Sequence, residues 1–302
     1  IPAAGTPGPS STASTPRREP PHREATSQGR SHDFRAAMKR PGSQAQKGTL
    51  VIRLKNEKQM AGIKASCRLL SDMYAELRPR IAAGVTTGEL DRFAHAYIVE
   101  HGGTPAFLNY GDRSNPFPAT LCVSINEEVI HGIPGNRVIR PGDVVGIDSG
   151  IELGGFYSDA AFSVAVPPVA PETEKLLRVT RECLERAIAA VKPGARIHDV
   201  SRAVFSHARA NGFGVVRQFC GHGVGFSQHE DPQVPNYVGS GPNPRIVPGM
   251  VIAIEPMINA GGDGVAELDD GWTIVTLDGS ASAHFEHTVA VTATGVEVLT
   301  AW

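Results

Sequence analysis

Cysteine is scarce in this chain and scattered. Four cysteines (Cys67, Cys122, Cys183 and Cys220) occur in 302 residues, with no CxxC pair. That spacing excludes a thiol-redox motif and a cysteine-built zinc site. It reads as reduced thiols in a cytosol-like compartment. Long hydrophobic runs are also missing, so no segment approaches the roughly 20 apolar residues of a membrane span. A basic excess is lacking as well. Beyond residue 47 the chain carries 21 basic and 28 acidic residues, a net −7. That balance removes the electrostatic footprint of a nucleic-acid binder.

The first 47 residues differ from the rest. They hold eight Lys/Arg and three Asp/Glu, a net +5, and a single aromatic, Phe34. Rich in Pro, Ser, Thr and Arg, with no apolar periodicity, they cannot bury enough surface to offset the entropy of ordering. They read as a disordered tail. They lack the 7–15-residue apolar stretch of a secretory signal; an organelle transit peptide is the less favoured alternative. Residues 48–302 read as one α+β domain.

That domain repeats itself. Pro141-Gly142-Asp143-Val144-Val145-Gly146-Ile147-Asp148 returns 107 residues later as Pro248-Gly249-Met250-Val251-Ile252-Ala253-Ile254-Glu255. Each copy is a Pro-Gly turn, a strand and a carboxylate. Apolar spacing predicts helices over 55–79 and 171–191. Thr86 followed by Glu89 reads as a capping box opening a second helix that ends near His101-Gly102. Its counterpart follows the Gly194–Val200 run and continues to about Asn211-Gly212. A shift of 110 lays Gly84 on Gly194 and Gly102 on Gly212. The two halves fall at about 58–166 and 171–300.

The acids are the chemical signal. Gly154-Gly155 marks a hairpin turn between two strand-like runs, and pairing about it sets Asp148 roughly opposite Asp159. Carboxylates that close repel unless a proton or cation lies between them. The other reading is that one of them faces solvent at the turn. In the second half, Val251, Ala253 and Glu255 share one strand face. His284-Phe285-Glu286-His287 aligns with Tyr157-Ser158-Asp159-Ala160, so Glu286 answers to Asp159 as Glu255 answers to Asp148. Four acids on four strands about a pseudo-twofold axis call for cations, and two divalent ions are the economical answer.

Histidines complete the set. Cys220-Gly221-His222-Gly223-Val224-Gly225 surrounds one with glycines, which permit close backbone approach. His229 follows seven residues later, and His131 ends the run Asn126–Ile130. His22, His32, His95, His198 and His207 have no comparable setting. An Asp/Asp/His/Glu/Glu donor set suits Mn, Fe(II), Co, Zn or Ni. Two such ions activate water and polarise a carbonyl, which points to hydrolysis, with peptide bonds a natural substrate.

Taken together, His131-Gly132-Ile133-Pro134, Ile147-Asp148 with Asp159, Gly221-His222-Gly223, His229-Glu230, Ile254-Glu255-Pro256-Met257 and Phe285-Glu286-His287-Thr288 resemble type I methionine aminopeptidases over residues 50–302. The resemblance implies the pita-bread fold, two pseudo-symmetric α/β halves around a curved antiparallel sheet. It implies five metal ligands, Asp148, Asp159, His222, Glu255 and Glu286, with Asp159 and Glu286 bridging. Glu255 is then also the general base, and His131 and His229 position the substrate and stabilise the tetrahedral intermediate. Tyr110, Phe117, Cys122 and Trp272 match the methionine pocket. The implied reaction is attack of a metal-bridging hydroxide on the carbonyl after an N-terminal Met, with a small second residue preferred. Nascent chains at or near the ribosome are the implied substrates of a cytoplasmic monomer.

Three departures from the common pattern bear on the pocket. The 110–122 segment is about four residues longer, Phe117 stands where Tyr is frequent, and Gln228 stands where an aromatic is common. His229 and Glu255 are 26 positions apart, too close for the helical insertion of type II enzymes. A prolidase or aminopeptidase P shares the fold and ligands, but usually has Gly after Glu-Pro and an acid where His287 stands. A non-catalytic binding protein on the same fold is the reading from a different class.

Overall fold

The computed structural model describes residues 50–302, so the tail read over 1–47 lies outside the described residues. Among the described residues there are four α-helices: α1 (Glu57–Leu77), α2 (Thr87–Glu100), α3 (Pro171–Ala190) and α4 (Ile197–Ala210). The first begins at a capping box in which Asn56 and Gln59 exchange hydrogen bonds. The Thr86 box also forms: Thr86 Oγ1 accepts from Glu89 N at 3.2 Å and Glu89 Oε2 accepts from Thr86 N at 2.7 Å. Such a cap stabilises a helix by about 1 kcal/mol. In the second half Asp199, three residues after Arg196, accepts from the Arg196 N–H at 2.9 Å, so the acid of the box recurs without the hydroxyl.

The duplication is written in the backbone. Gly84 and Gly194 have φ of +94° and +88°, Gly102 and Gly212 +79° and +85°, Gly142 and Gly249 +90° and +89°. Each pair holds the left-handed conformation that side chains other than glycine adopt with strain. Matching residues therefore make matching turns in the two halves.

The helices pack against a nine-stranded sheet whose strand pairs are all antiparallel. Its central path runs from Val144–Leu153 to Phe156–Ala165, then Glu286–Val291, Val251–Ile254, Cys220–Gly223 and Glu230–Pro235. Cys122–Ile125 pairs with Val144–Leu153 at the outer side. Alternation assigns the two faces. Ile147, Ile151, Ala160 and Phe162 join the main core with Leu70, Met73 and Tyr74 of α1 and with residues of α3 and α4. Asp148, Asp159 and Ala161 take the opposite face.

The hairpin register differs from the expectation. Leu153 pairs with Phe156, which sets Asp148 opposite Ala161 and Asp159 opposite Gly150. The two acids are diagonal neighbours, not direct partners. Because side chains alternate with period two, a slip of two residues leaves both on the same face, and neither points out at the turn.

Candidate metal centre and substrate pocket

One row of residues crosses the sheet and carries most of the site. Cys122 pairs with Asp148, Asp148 with Ala161, and Ala161 with Glu286. His287 pairs with Ile254, so continuing that register by one residue places Glu255 beside Glu286. Ala161 separates Asp148 from Glu286 with only a methyl group, which leaves open space between two acids. Asp159 stands one row over. Its backbone is held by Thr288, whose hydroxyl donates to the Asp159 carbonyl at 2.7 Å and accepts from the Asp159 N–H at 3.2 Å.

His222 enters from Cys220–Gly223. Gly221 lies against the Ala253 carbonyl and Gly223 against the Asp231 carbonyl, with no room for a Cβ at either. The glycines around this histidine are thus required by close backbone approach. The ring's Nδ1 donates to the Gly223 carbonyl at 2.9 Å, which leaves Nε2 with a free lone pair. Nε2 lies 3.4 Å from Asp159 Oδ2 and 3.6 Å from Glu255 Oε1. Asp159, His222 and Glu286 each bring a ligand atom within 4.8 Å of the others.

These groups fit a cation and fit little else. Asp148 Oδ1, Asp159 Oδ1 and Glu286 Oε1 are buried with no hydrogen-bond partner. Burial, then the neighbouring acids, pushes the Asp148, Glu255 and Glu286 carboxyls well above the usual range. Asp159 is raised by burial and held back by His222 and Gln228. The metal-free site therefore holds protons that a metal must displace. Calorimetry in buffers of different ionisation enthalpy should show protons released on binding, with affinity rising with pH through the raised carboxyl range. The sign for stability is the reverse. The native metal-free state binds more protons than the unfolded chain above the ordinary carboxyl value, so its stability should fall as pH rises there.

Beside the acids lies a cavity of about 190 Å³. Its apolar wall is Phe107, Phe117, Cys122 and Trp272, packed as one cluster with Phe117 edge-on to Trp272 at 5.2 Å. The 110–122 segment braces that wall. Trp272 Nε1 donates to the Asn115 carbonyl at 3.1 Å, and Gly111 lies flat against the indole with φ +95°. Tyr110 stands at the rim, 40% exposed, and its hydroxyl meets His229 Nδ1 at 2.7 Å.

His131 and His229 border the cavity from two sides. His131 has φ +59°, an uncommon conformation for a non-glycine residue, and burial pushes it down to about 4. Its ring is edge-on to Phe219 at 5.7 Å and to Trp272 at 6.1 Å. His229 is exposed, with its ring 4.1 Å from that of His222. Lost solvation beside the site, then His222 and His131 nearby, lowers it from the ordinary value. Both imidazoles are neutral hydrogen-bonding groups here.

A profile of metallopeptidase family M24 matches residues 61–293. This chain belongs to that family. Within M24 its similarity is to methionine aminopeptidases. It is 52% identical to "Methionine aminopeptidase" of Treponema pallidum over 251 residues, 83% of this chain and 96% of that one. The crystal structure of methionine aminopeptidase from Thermotoga maritima superposes with a TM-score of 0.80 at 40% identity, covering 83% of this chain and all of that one. Prolidase from Pyrococcus furiosus reaches 0.64 at 20% identity, covering 82% and 65%, and shares the fold alone. The pita-bread architecture expected of the sequence is the architecture of this M24 chain.

Several groups at the site carry no local sequence signal. Phe107 joins the apolar wall although nothing near it marks a pocket. His284 opens the very run aligned with Tyr157-Ser158-Asp159, yet that alignment does not mark it as a site residue. It is buried, with Nε2 3.8 Å from Glu255 Oε2, and burial holds it down to about 3. Lys55 is a third. Its ammonium meets Glu230 Oε2 at 2.7 Å with side-chain exposures of 1% and 2%. Glu230 Oε1 accepts from the Phe226 and Ser227 N–H groups, so the pair ties the loop before His229 to the segment leading into α1. Burial draws the ammonium below its ordinary value, and Glu230 partly restores it. Lys55→Met leaves a buried carboxylate without its counter-ion. It should cost about 3–5 kcal/mol in urea unfolding.

Proposed function

We propose that this chain is a dinuclear-metal aminopeptidase that removes the N-terminal methionine of nascent proteins. Asp148, Asp159, His222, Glu255 and Glu286 would hold the ions, with Asp159 and Glu286 as the candidates for shared ligands. The observation that carries the reading is the pair of orphaned oxygens on Asp159 and Glu286 grouped with His222, with a third on Asp148 lining the same apolar-walled pocket. Two divalent ions in such a set supply Lewis acidity at the scissile carbonyl and a water acidic enough to react near neutrality.

The chain's own groups do the rest. Phe107, Phe117, Cys122 and Trp272 enclose the thioether, which suits sulfur and aromatic neighbours. His131 and His229 donate hydrogen bonds to the oxygen that gains charge as the carbonyl becomes tetrahedral. Glu255 holds the proton on a carboxyl oxygen and returns it to the leaving amine. A cavity of about 190 Å³ that also houses the scissile bond leaves little space for a bulky second residue, which supports a preference for small ones. Free thiols at Cys67, Cys122, Cys183 and Cys220 support a reducing cytoplasm. Among the described residues no helix is long and apolar enough to cross a membrane.

The test compares Met-Ala-Ser with an Xaa-Pro peptide on protein loaded with Mn, Fe(II), Co, Zn or Ni, with a chelator control. Cleavage of Met-Ala-Ser that stops on chelation is expected. Turnover of the Xaa-Pro peptide alone would overturn the reading in favour of a prolidase.

A further inference from the structure

Gln228 immediately precedes His229, yet it does not line the cavity wall. It is 3% exposed and turned onto Asp159, with Nε2 donating to Oδ2 at 2.5 Å. The space it fills exists because Gly150, the cross-strand partner of Asp159, has no side chain. A Cβ at 150 would come within 2.6 Å of both Nε2 and Oε1 of Gln228. Asp159 is thus held from two directions, its backbone by Thr288 and one carboxylate oxygen by the Gln228 amide. Its other oxygen, Oδ1, is left without a partner.

We propose that Gln228 is a positioning residue that fixes the Asp159 carboxylate for metal binding, with Gly150 providing its berth. The inference rests on Asp159 being a metal ligand, as read above. A carboxylate on two rotatable bonds sweeps several orientations. An amide donor on Oδ2 selects the one that leaves Oδ1 unpaired in the site. Being neutral, the amide does this without offsetting the negative charge that attracts the cations, as Lys or Arg would. Ligating carboxylates depend on such outer partners for orientation. Because Gln228 immediately precedes His229, the same loop places both an outer partner of the metal site and a substrate-contacting imidazole.

The test uses metal-free full-length protein titrated with Co(II), read by calorimetry and by the visible ligand-field spectrum. Gln228→Leu should weaken binding about 10- to 100-fold and shift the spectrum. Gly150→Ala, whose methyl group displaces the amide from the other side, should produce a similar loss and shift. Because both act through one contact, the double variant should be no weaker than the worse single one, within about twofold. Wild-type affinity and spectrum in Gln228→Leu, or fully additive losses in the double variant, overturn the proposal. If Gln228→Leu does not fold, unchanged affinity and spectrum in Gly150→Ala overturn it alone. Asp159→Ala separates the two levels. Undiminished Co(II) binding there removes Asp159 from the ligand set. Loss there with none in Gln228→Leu rejects only the role of Gln228.

Discussion

Glu286→Ala should lower kcat/KM by roughly a thousandfold or more and release bound metal, whereas Glu286→Gln should make the metal-free protein more stable. The two effects have one cause. Glu286 is 2% exposed, with an orphaned oxygen and with Asp159, Glu255 and Asp148 all raising its pKa. Without cations this carboxyl is a cost to folding at neutral pH, either as a buried charge or as a proton held above the ordinary range. A carboxamide of the same shape relieves that cost, and about 1–2 kcal/mol of added stability in chelator is the expected scale. With cations the same crowding is what binds them. If Glu286 is shared by both ions as proposed, nothing on the sheet replaces it: one row neighbour is the methyl group of Ala161, and the other, Glu255, is already in the proposed ligand set. Several kcal/mol of charge stabilisation then disappears, and each 1.36 kcal/mol is tenfold in rate. Asp159→Ala should behave alike. Elemental analysis with peptide turnover checks both variants. Full turnover with undiminished metal content would contradict the bridging roles.

The parts of this architecture that were legible beforehand are those encoded locally. Thr86 and Glu89 announce a helix start within four residues. The Pro-Gly turns at 142 and 249 announce two matching strands, and their φ angles agree to within a degree. The acids at the ends of those strands were legible for the same reason, because a period of two tells which residues share a face. Register was not legible to that precision. Whether the hairpin turns about one residue or the next depends on turn geometry, and the slip of two was harmless only because it preserves the face. What stayed hidden are contacts between distant segments. Lys55 and Glu230 are 175 positions apart, and Gln228 and Asp159 are 69 apart. No periodicity relates such pairs; only the tertiary fold brings them together. Gln228 shows the consequence most plainly. As a polar residue replacing an aromatic beside a candidate catalytic histidine, it reads as a change in the pocket. The fold instead turns it away from the cavity, onto a carboxylate.

His229→Ala should reduce kcat by about 10²- to 10³-fold, or about 2.7–4 kcal/mol, with KM changed only a few-fold. The reasoning begins with the tautomer. Burial raises the pKa of the Tyr110 hydroxyl, which keeps it a proton donor, and it lies 2.7 Å from His229 Nδ1. Nδ1 therefore accepts, and the ring's proton resides on Nε2. A ring so arranged, and held well below the ordinary imidazole pKa, is a neutral donor throughout the working pH range. Its hydrogen bond strengthens when the substrate oxygen gains charge, so its loss falls on kcat more than on binding. Three comparisons follow. His229→Gln keeps an N–H donor and should recover part of the lost rate. Tyr110→Phe removes the tautomer lock but not the donor, so a drop of about tenfold is expected. The acid limb of the pH profile should keep its midpoint in both His229 variants, because the carboxylates, not this imidazole, titrate there. A limb that moved with His229→Gln would assign the titration to the imidazole and make it an acid–base group. A large rise in KM at constant kcat would instead make it a ground-state binding group.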